Sequence, residues 1–142
     1  MPITEVLTLQ FDGGSRGNPG PAGFGVAIYS QDNTPIFTLG RFIGVATNNV
    51  AEYSGLICGL EEALKLGATK LLVRGDSELV IKQMKGQYRV KNPGLKPLYE
   101  KAKGLAAKFT QIAYDHTYRD GNELPDKLAN LAMNKRADVT DV

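Results

Sequence analysis

LTLQFDGGSRGNPGPAGFG, residues 7–25, begins as an alternation and breaks into glycine and proline. Leu7, Leu9 and Phe11 alternate with Thr8 and Gln10, the period of two that sends successive side chains to opposite faces of a strand. Asp12 follows just past its end, and Gly13 to Gly23 reads as a turn. Gly25 to Ser30 and Ile36 to Ile43 read as two more strands, with Asp32-Asn33 turning between them. Three sequential strands on short connections imply an antiparallel meander. The spacing Gly14-x-x-Gly17-x-x-Gly20 is not a phosphate cradle, because no Gly-Lys-Ser/Thr follows and the next segment is a strand, not a helix. Two readings of these glycines stand: a structural hairpin, or a tight turn that lets a ligand approach the backbone.

Beyond Thr47 the period changes. Val50, Tyr53, Leu56, Ile57, Leu60 and Leu64 fall on one helical face, with Thr47 or Asn48 as N-cap and Gly67 as the stop. Leu71 to Arg74 is a fourth strand, followed by a helix from Asp76-Ser77 to about Met84 and a basic helix from Leu95 to Lys108. A fifth strand near Gln111 to Thr117 precedes a last helix that starts at Gly121-Asn122 and carries Leu124, Leu128, Leu131 and Ala132. Helical crossovers into strands 4 and 5 favour parallel pairing. The expected architecture is α/β: a five-stranded mixed sheet with helices on its faces, one domain over residues 1–142, with flexible ends at 1–3 and 137–142.

Composition frames this modestly. The chain has 142 residues, 42% hydrophobic and 23% charged, the balance of an ordinary globular domain able to bury a full core. No stretch approaches the roughly 20 apolar residues of a membrane span, and MPITEVLTLQ lacks the layout of a signal peptide. Cys58 is alone and reads as a buried thiol. The expected setting is the cytoplasm, as a monomer with no membrane and no obligate protein partner. The net charge of +2 hides an asymmetry: Lys82 to Lys108 holds eight basic residues against Glu100 alone. Such a stretch is either a solvated lysine-rich face or a grip for a polyanion.

Four acids stand in distinct local contexts: Asp12, Glu52 in TNNVAEY, Asp76 in VRGDSELV and Asp126 in RDGNELPDKLAN. If strands 1 and 4 are parallel neighbours, Asp12 and Asp76 emerge at the same sheet edge, where open α/β sheets place their sites. Glu52 lies early in the first helix and Asp126 in the first turn of the last. Singly, Glu52 reads as a solvated helix acid and Asp126 as a complement to the helix dipole. Together, four converging carboxylates would repel one another unless they held hard divalent cations.

With DGGSRGNPGPAGFG, TNNVAEY, GDSELVIKQMKG and RDGNELPDKLAN in this order, the chain resembles the type 1 ribonuclease H family almost end to end. The resemblance implies the ribonuclease H-like fold, with strand order 3-2-1-4-5. It also implies an endonuclease that cleaves the RNA strand of an RNA–DNA hybrid to 5′-phosphate and 3′-hydroxyl ends. Asp12, Glu52, Asp76 and Asp126, with the Gly13 backbone, would hold two divalent ions, Mg²⁺ or Mn²⁺. By position, Gly13, Gly14, Asn18 and Glu52 match the part that senses ribose 2′-hydroxyls. Thr47, Asn48 and Asn49 match residues that touch the DNA strand, Thr47 being an N-cap as well. Ser77 joins the substrate-binding set. His116 matches an auxiliary histidine, and Arg119, which begins an R-x-x-N-x-x-x-D run, is its rival.

Two departures stand out. The long basic protrusion with tryptophans of well-known bacterial members is missing, since the chain has no tryptophan and Gly86 to Leu98 is short. The pattern is that of a compact, archaeal-like branch, and the grip on substrate falls to Lys82, Lys85, Arg89, Lys91 and Lys96. Pro125 takes a place the family usually gives to a small residue. Two alternatives accompany the hydrolase reading: a catalytically silent nucleic-acid-binding module, and a same-fold nuclease acting on RNA–RNA or DNA–DNA.

Overall fold

Leu7, Leu9 and Phe11 are fully buried, so the alternation of the first strand does what it promises. In the computed structural model, which describes residues 3–140, β1 spans Ile3–Ser15, β2 Gly20–Tyr29, β3 Pro35–Ala46, β4 Ala68–Gly75 and β5 Gln111–His116. The sheet order is β3-β2-β1-β4-β5, with β1–β2 and β2–β3 antiparallel and β1–β4 and β4–β5 parallel. Helices α1 (Asn48–Lys65), α2 (Glu78–Met84), α3 (Lys96–Ala106) and α4 (Glu123–Lys135) complete it, with one 3-10 turn at Arg119–Gly121.

The first two strands run further than the sequence suggests. Gly13 to Gly23 is not one long turn: β1 continues to Ser15 and β2 resumes at Gly20. The tip is only a few residues, closed by the Arg16 N–H donating to the Pro21 carbonyl at 2.8 Å. Glycine is poor in a strand on its own, and cross-strand pairing with neighbouring elements overrides that propensity. Asp12 therefore lies inside β1, opposite Gly25, and not past the strand's end.

The main core fills the face covered by α1. Leu7, Leu9, Phe11, Phe24, Val26, Ile28 and Val73 meet Tyr53, Leu56 and Leu60 there, and α3 supplies Ala102 and Ala106. Burying each large side chain contributes about 1.5–3 kcal/mol. The Tyr53 hydroxyl donates to Gln83 Oε1 at 2.6 Å, which satisfies two buried polar groups and ties α1 to α2. Thr47 caps α1 by accepting from Val50 N–H, and Gly67, at φ +92°, ends it.

The opposite face of β2 and β3 carries α4, with Leu128, Ala132 and Val139 forming a second cluster. At the ends, Ile3 N–H donates to the Gly67 carbonyl, and Gly40 and Val139 exchange two backbone hydrogen bonds. These contacts tie down part of the segments expected to be flexible. Residues 1, 2, 141 and 142 of those segments lie outside the described residues. Among the described residues no helix is long and apolar enough to cross a membrane.

Candidate active site

Register brings the first two acids together. β1 and β4 are parallel neighbours with Phe11 opposite Gly75, so Asp12 and Asp76 are the next residues along adjacent strands. Gly13 then sets the approach of α1: a Cβ there would overlap the backbone of Ala51 and Glu52. Only glycine lets the first turns of the helix sit this close to the strand, and that contact seats Glu52 beside Asp12. Carboxylate oxygens of Asp12, Glu52 and Asp76 lie within 4.8 Å of one another.

This cluster is dry on one side. Asp12 and Glu52 are only 8% and 7% exposed. Burial, then the negative charges of Glu52 and Asp76, then hydrogen bonding with Asp126, push the Asp12 carboxyl up to about 10. Glu52 is pushed up to about 8 by burial and by the charge of Asp76, partly offset by the polar groups of Gly13, Asp12 and Ser77 nearby; the Gly13 N–H itself donates to Asp12 Oδ1 at 3.0 Å. Its Oε1 is buried with no hydrogen-bond partner among the described residues. An orphaned carboxylate oxygen in an all-oxygen donor set fits a hard divalent cation, whose charge would reverse these shifts.

Asp126 reaches the same cleft from α4. Its N–H makes the helix's first backbone bond, to the Asn122 carbonyl at 3.2 Å. Pro125, one residue before, stands where a helix-start donor would have no partner, so its missing N–H costs nothing. Asn130 Nδ2 donates to the Asp126 carbonyl at 3.0 Å and to its Oδ1 at 3.3 Å. Asp126 stands next to Asp12 and outside the tight three-acid group.

Gly13, Gly14, Asn48, Asn49, Ser77, His116 and Arg119 all line this cleft. Asn18 and Thr47 do not line it and act from behind. Asn18 Oδ1 accepts the Asn48 N–H at 3.0 Å, while Asn48 Oδ1 accepts from the Ser15 N–H and hydroxyl. These bonds lock the β1–β2 hairpin to the start of α1. His116 ends β5 with Nε2 3.3 Å from the Asp76 carbonyl oxygen, and Arg119 sits in the 3-10 turn.

The basic residues are elsewhere. Lys82 pairs with Glu78 and lies 5.0 Å from the Tyr88 ring centroid; Lys85, Arg89 and Lys91 are exposed. Arg89 and Lys96 border a separate cleft with Tyr88 and Tyr99. None of these cations lines the acidic cleft.

Sequence reasoning missed Asn122, which is fully buried and donates from Nδ2 to the Phe11 carbonyl at 2.8 Å. It pins the start of α4 to the residue before Asp12. The clue in the sequence was the Gly-Asn pair before a helical period, read there only as a helix start. Asn130, Arg16 and Tyr118, also at the cleft, carried no comparable signal.

A 3-2-1-4-5 mixed sheet with a buried carboxylate centre between β1, β4 and α1 defines the ribonuclease H-like class. The family described as "Reverse transcriptase-like" matches residues 10–132, and the Ribonuclease HI of Halobacterium salinarum is 43% identical over 123 residues, 87% of this chain and 62% of that one. The chain belongs to the type 1 ribonuclease H family. Its similarity to Bifunctional protein Rv2228c of Mycobacterium tuberculosis is 48% identity over 132 residues, 92% of this chain and 36% of that protein. The chain thus spans about a third of that relative's length. Superposed on the solved N-terminal RNase H domain of Rv2228c, it gives a TM-score of 0.91, covering 93% of this chain and 96% of that one. LC11-RNase H1, solved in complex with RNA/DNA hybrid, is 38% identical with a TM-score of 0.87, covering 92% and 98% of the two chains.

Proposed function

We propose that this chain hydrolyses the RNA strand of RNA–DNA hybrids in the acidic cleft, with two divalent cations, Mg²⁺ or Mn²⁺, leaving 5′-phosphate and 3′-hydroxyl ends. One observation carries the reading: three carboxylates within 4.8 Å of one another, one with a buried oxygen that lacks a hydrogen-bond partner among the described residues. Bound there, such cations supply Lewis-acid polarisation of the phosphate and a water nucleophile at neutral pH.

The protein's own groups do the rest. Asp12, Glu52 and Asp76, with the Gly13 backbone, hold the cations, and Asp126 closes the set from α4. Gly14, Asn48 and Asn49 orient the hybrid above the acids; asparagine amides both donate and accept, as ribose hydroxyls and minor-groove edges require. Asn18 and Thr47 keep that surface in place through the Asn48 N–H and the α1 cap. Ser77 caps α2 at the cleft, accepting from the Val80 N–H, and His116 meets the Asp76 backbone carbonyl. Arg119 faces phosphate. Lys82, Lys85, Arg89 and Lys91 grip the duplex at a distance from the chemistry. The single buried Cys58 is compatible with a reducing cytoplasm, where the chain would act as a monomer.

Labelled RNA–DNA, RNA–RNA and DNA–DNA duplexes incubated with Mg²⁺ and with Mn²⁺ test this. Cleavage confined to the RNA of the hybrid is expected; cleavage of DNA–DNA alone would overturn the reading.

A further inference from the structure

We infer that Tyr118 is a nucleotide-stacking residue at the lip of the acidic cleft, packing its ring against a nucleotide of the RNA strand beside the scissile phosphate. This rests on the proposed hybrid substrate. At 77% exposure Tyr118 is the most solvent-exposed large hydrophobic side chain among the described residues, and it lines the cleft of the four acids. A ring so exposed contributes little to the core, so the fold does not require it there.

Its position is nonetheless held. On one side Thr117 N–H donates to the Gly75 carbonyl at 2.9 Å; on the other, Gly121 N–H donates to the Tyr118 carbonyl at 2.9 Å. The ring meets the His116 ring in an edge contact, centroids 5.4 Å apart and planes at 69°. His116 is in turn 3.3 Å from the Asp76 carbonyl oxygen. The aromatic surface is therefore indexed to the backbone of an acid in the centre. In a duplex the base faces are covered by their neighbours, so the ring packs on a sugar exposed at the minor-groove surface; such packing is sequence-tolerant and needs no charge. It complements a cleft whose floor is anionic and whose basic residues lie mostly elsewhere.

The chain has no tryptophan, so Tyr118→Trp creates a single reporter. In an Asp12→Asn background, which prevents turnover, a dye-labelled RNA–DNA hybrid is titrated while dye anisotropy reads binding and tryptophan emission reads position 118. Emission should change over the same concentration range as anisotropy. In the otherwise native chain, Tyr118→Ala should raise KM about 5- to 50-fold with kcat within about twofold, and Tyr118→Phe should leave both unchanged. Unchanged emission alongside rising anisotropy overturns the stacking role and leaves the hybrid substrate intact. So does a Tyr118→Ala variant that loses kcat at constant KM, since the ring would then serve only to hold His116. No anisotropy change at all overturns both.

Discussion

Asp12 and Glu52 make the stability of this protein depend on pH. Unfolded, they titrate near their ordinary values of 3.8 and 4.5; folded, they keep their protons to about 10 and about 8. Across those windows the folded state binds more protons than the unfolded one, so stability is highest below them and is lost as pH rises. With a chelator present, the melting temperature contributed by this site should fall from pH 5 to pH 9, and Mg²⁺ should restore it most at the alkaline end. Asp12→Asn should flatten the chelator-treated profile while cutting hydrolysis by more than about 100-fold, beyond what loss of an outer-shell partner costs a metal site. Thermal melts at several pH values decide it, and a metal-free profile that climbs through the window for the native chain but not the variant would refute the account. Asn122 is a different kind of residue. Asn122→Ala would strand the buried Phe11 carbonyl and loosen α4 from β1, costing about 1–3 kcal/mol in denaturant titration.

Helix α4 shows how an element places a residue that its own sequence cannot place. The helical period of Leu124, Leu128 and Leu131 is legible, and so is Asp126 in its first turn. What seats that turn beside Asp12 is a set of glycines on other strands. A Cβ at Gly25 would overlap the Pro125 carbonyl, and one at Gly40 would overlap the Leu128 carbonyl. Gly25 is the register partner of Asp12, so the missing side chain makes room for α4 next to the acid. Gly25→Ala should therefore displace α4, destabilising the fold by about 1–3 kcal/mol. Its kcat at a temperature where the variant remains folded should drop towards that of Asp126→Asn. Full activity there would show that α4 does not depend on this contact. In the sequence Gly25 and Gly40 read only as members of two strands, because the helix they admit lies some hundred residues further along the chain.

Across the whole molecule, two charged regions stand apart: the cleft of the four acids at the C-terminal ends of β1 and β4, and an exposed basic surface on α2, α3 and the loop between them. A polyanion held by the second over the first loses affinity with salt in proportion to the phosphates neutralised, a slope of about −0.9 per contact on B-form duplex. Replacing Lys85, Arg89 and Lys91 together with alanine should raise KM and flatten the slope of log affinity against log salt by about 2–3, with kcat held within about twofold. An unchanged slope would mean that this surface is only solvated lysine and arginine.

Element order and the four acids were written locally, in alternation, helical period and short motifs. Those signals live within a few residues of one another, so the chain alone determined them. Tertiary structure decided the rest: the extension of β1 and β2 through their glycines, the burial that leaves Glu52 Oε1 without a partner, the Asn122 anchor and the exposed Tyr118 ring. Each depends on which distant backbone comes within contact distance, and burial and close approach are properties of packed neighbours, not of neighbours in sequence.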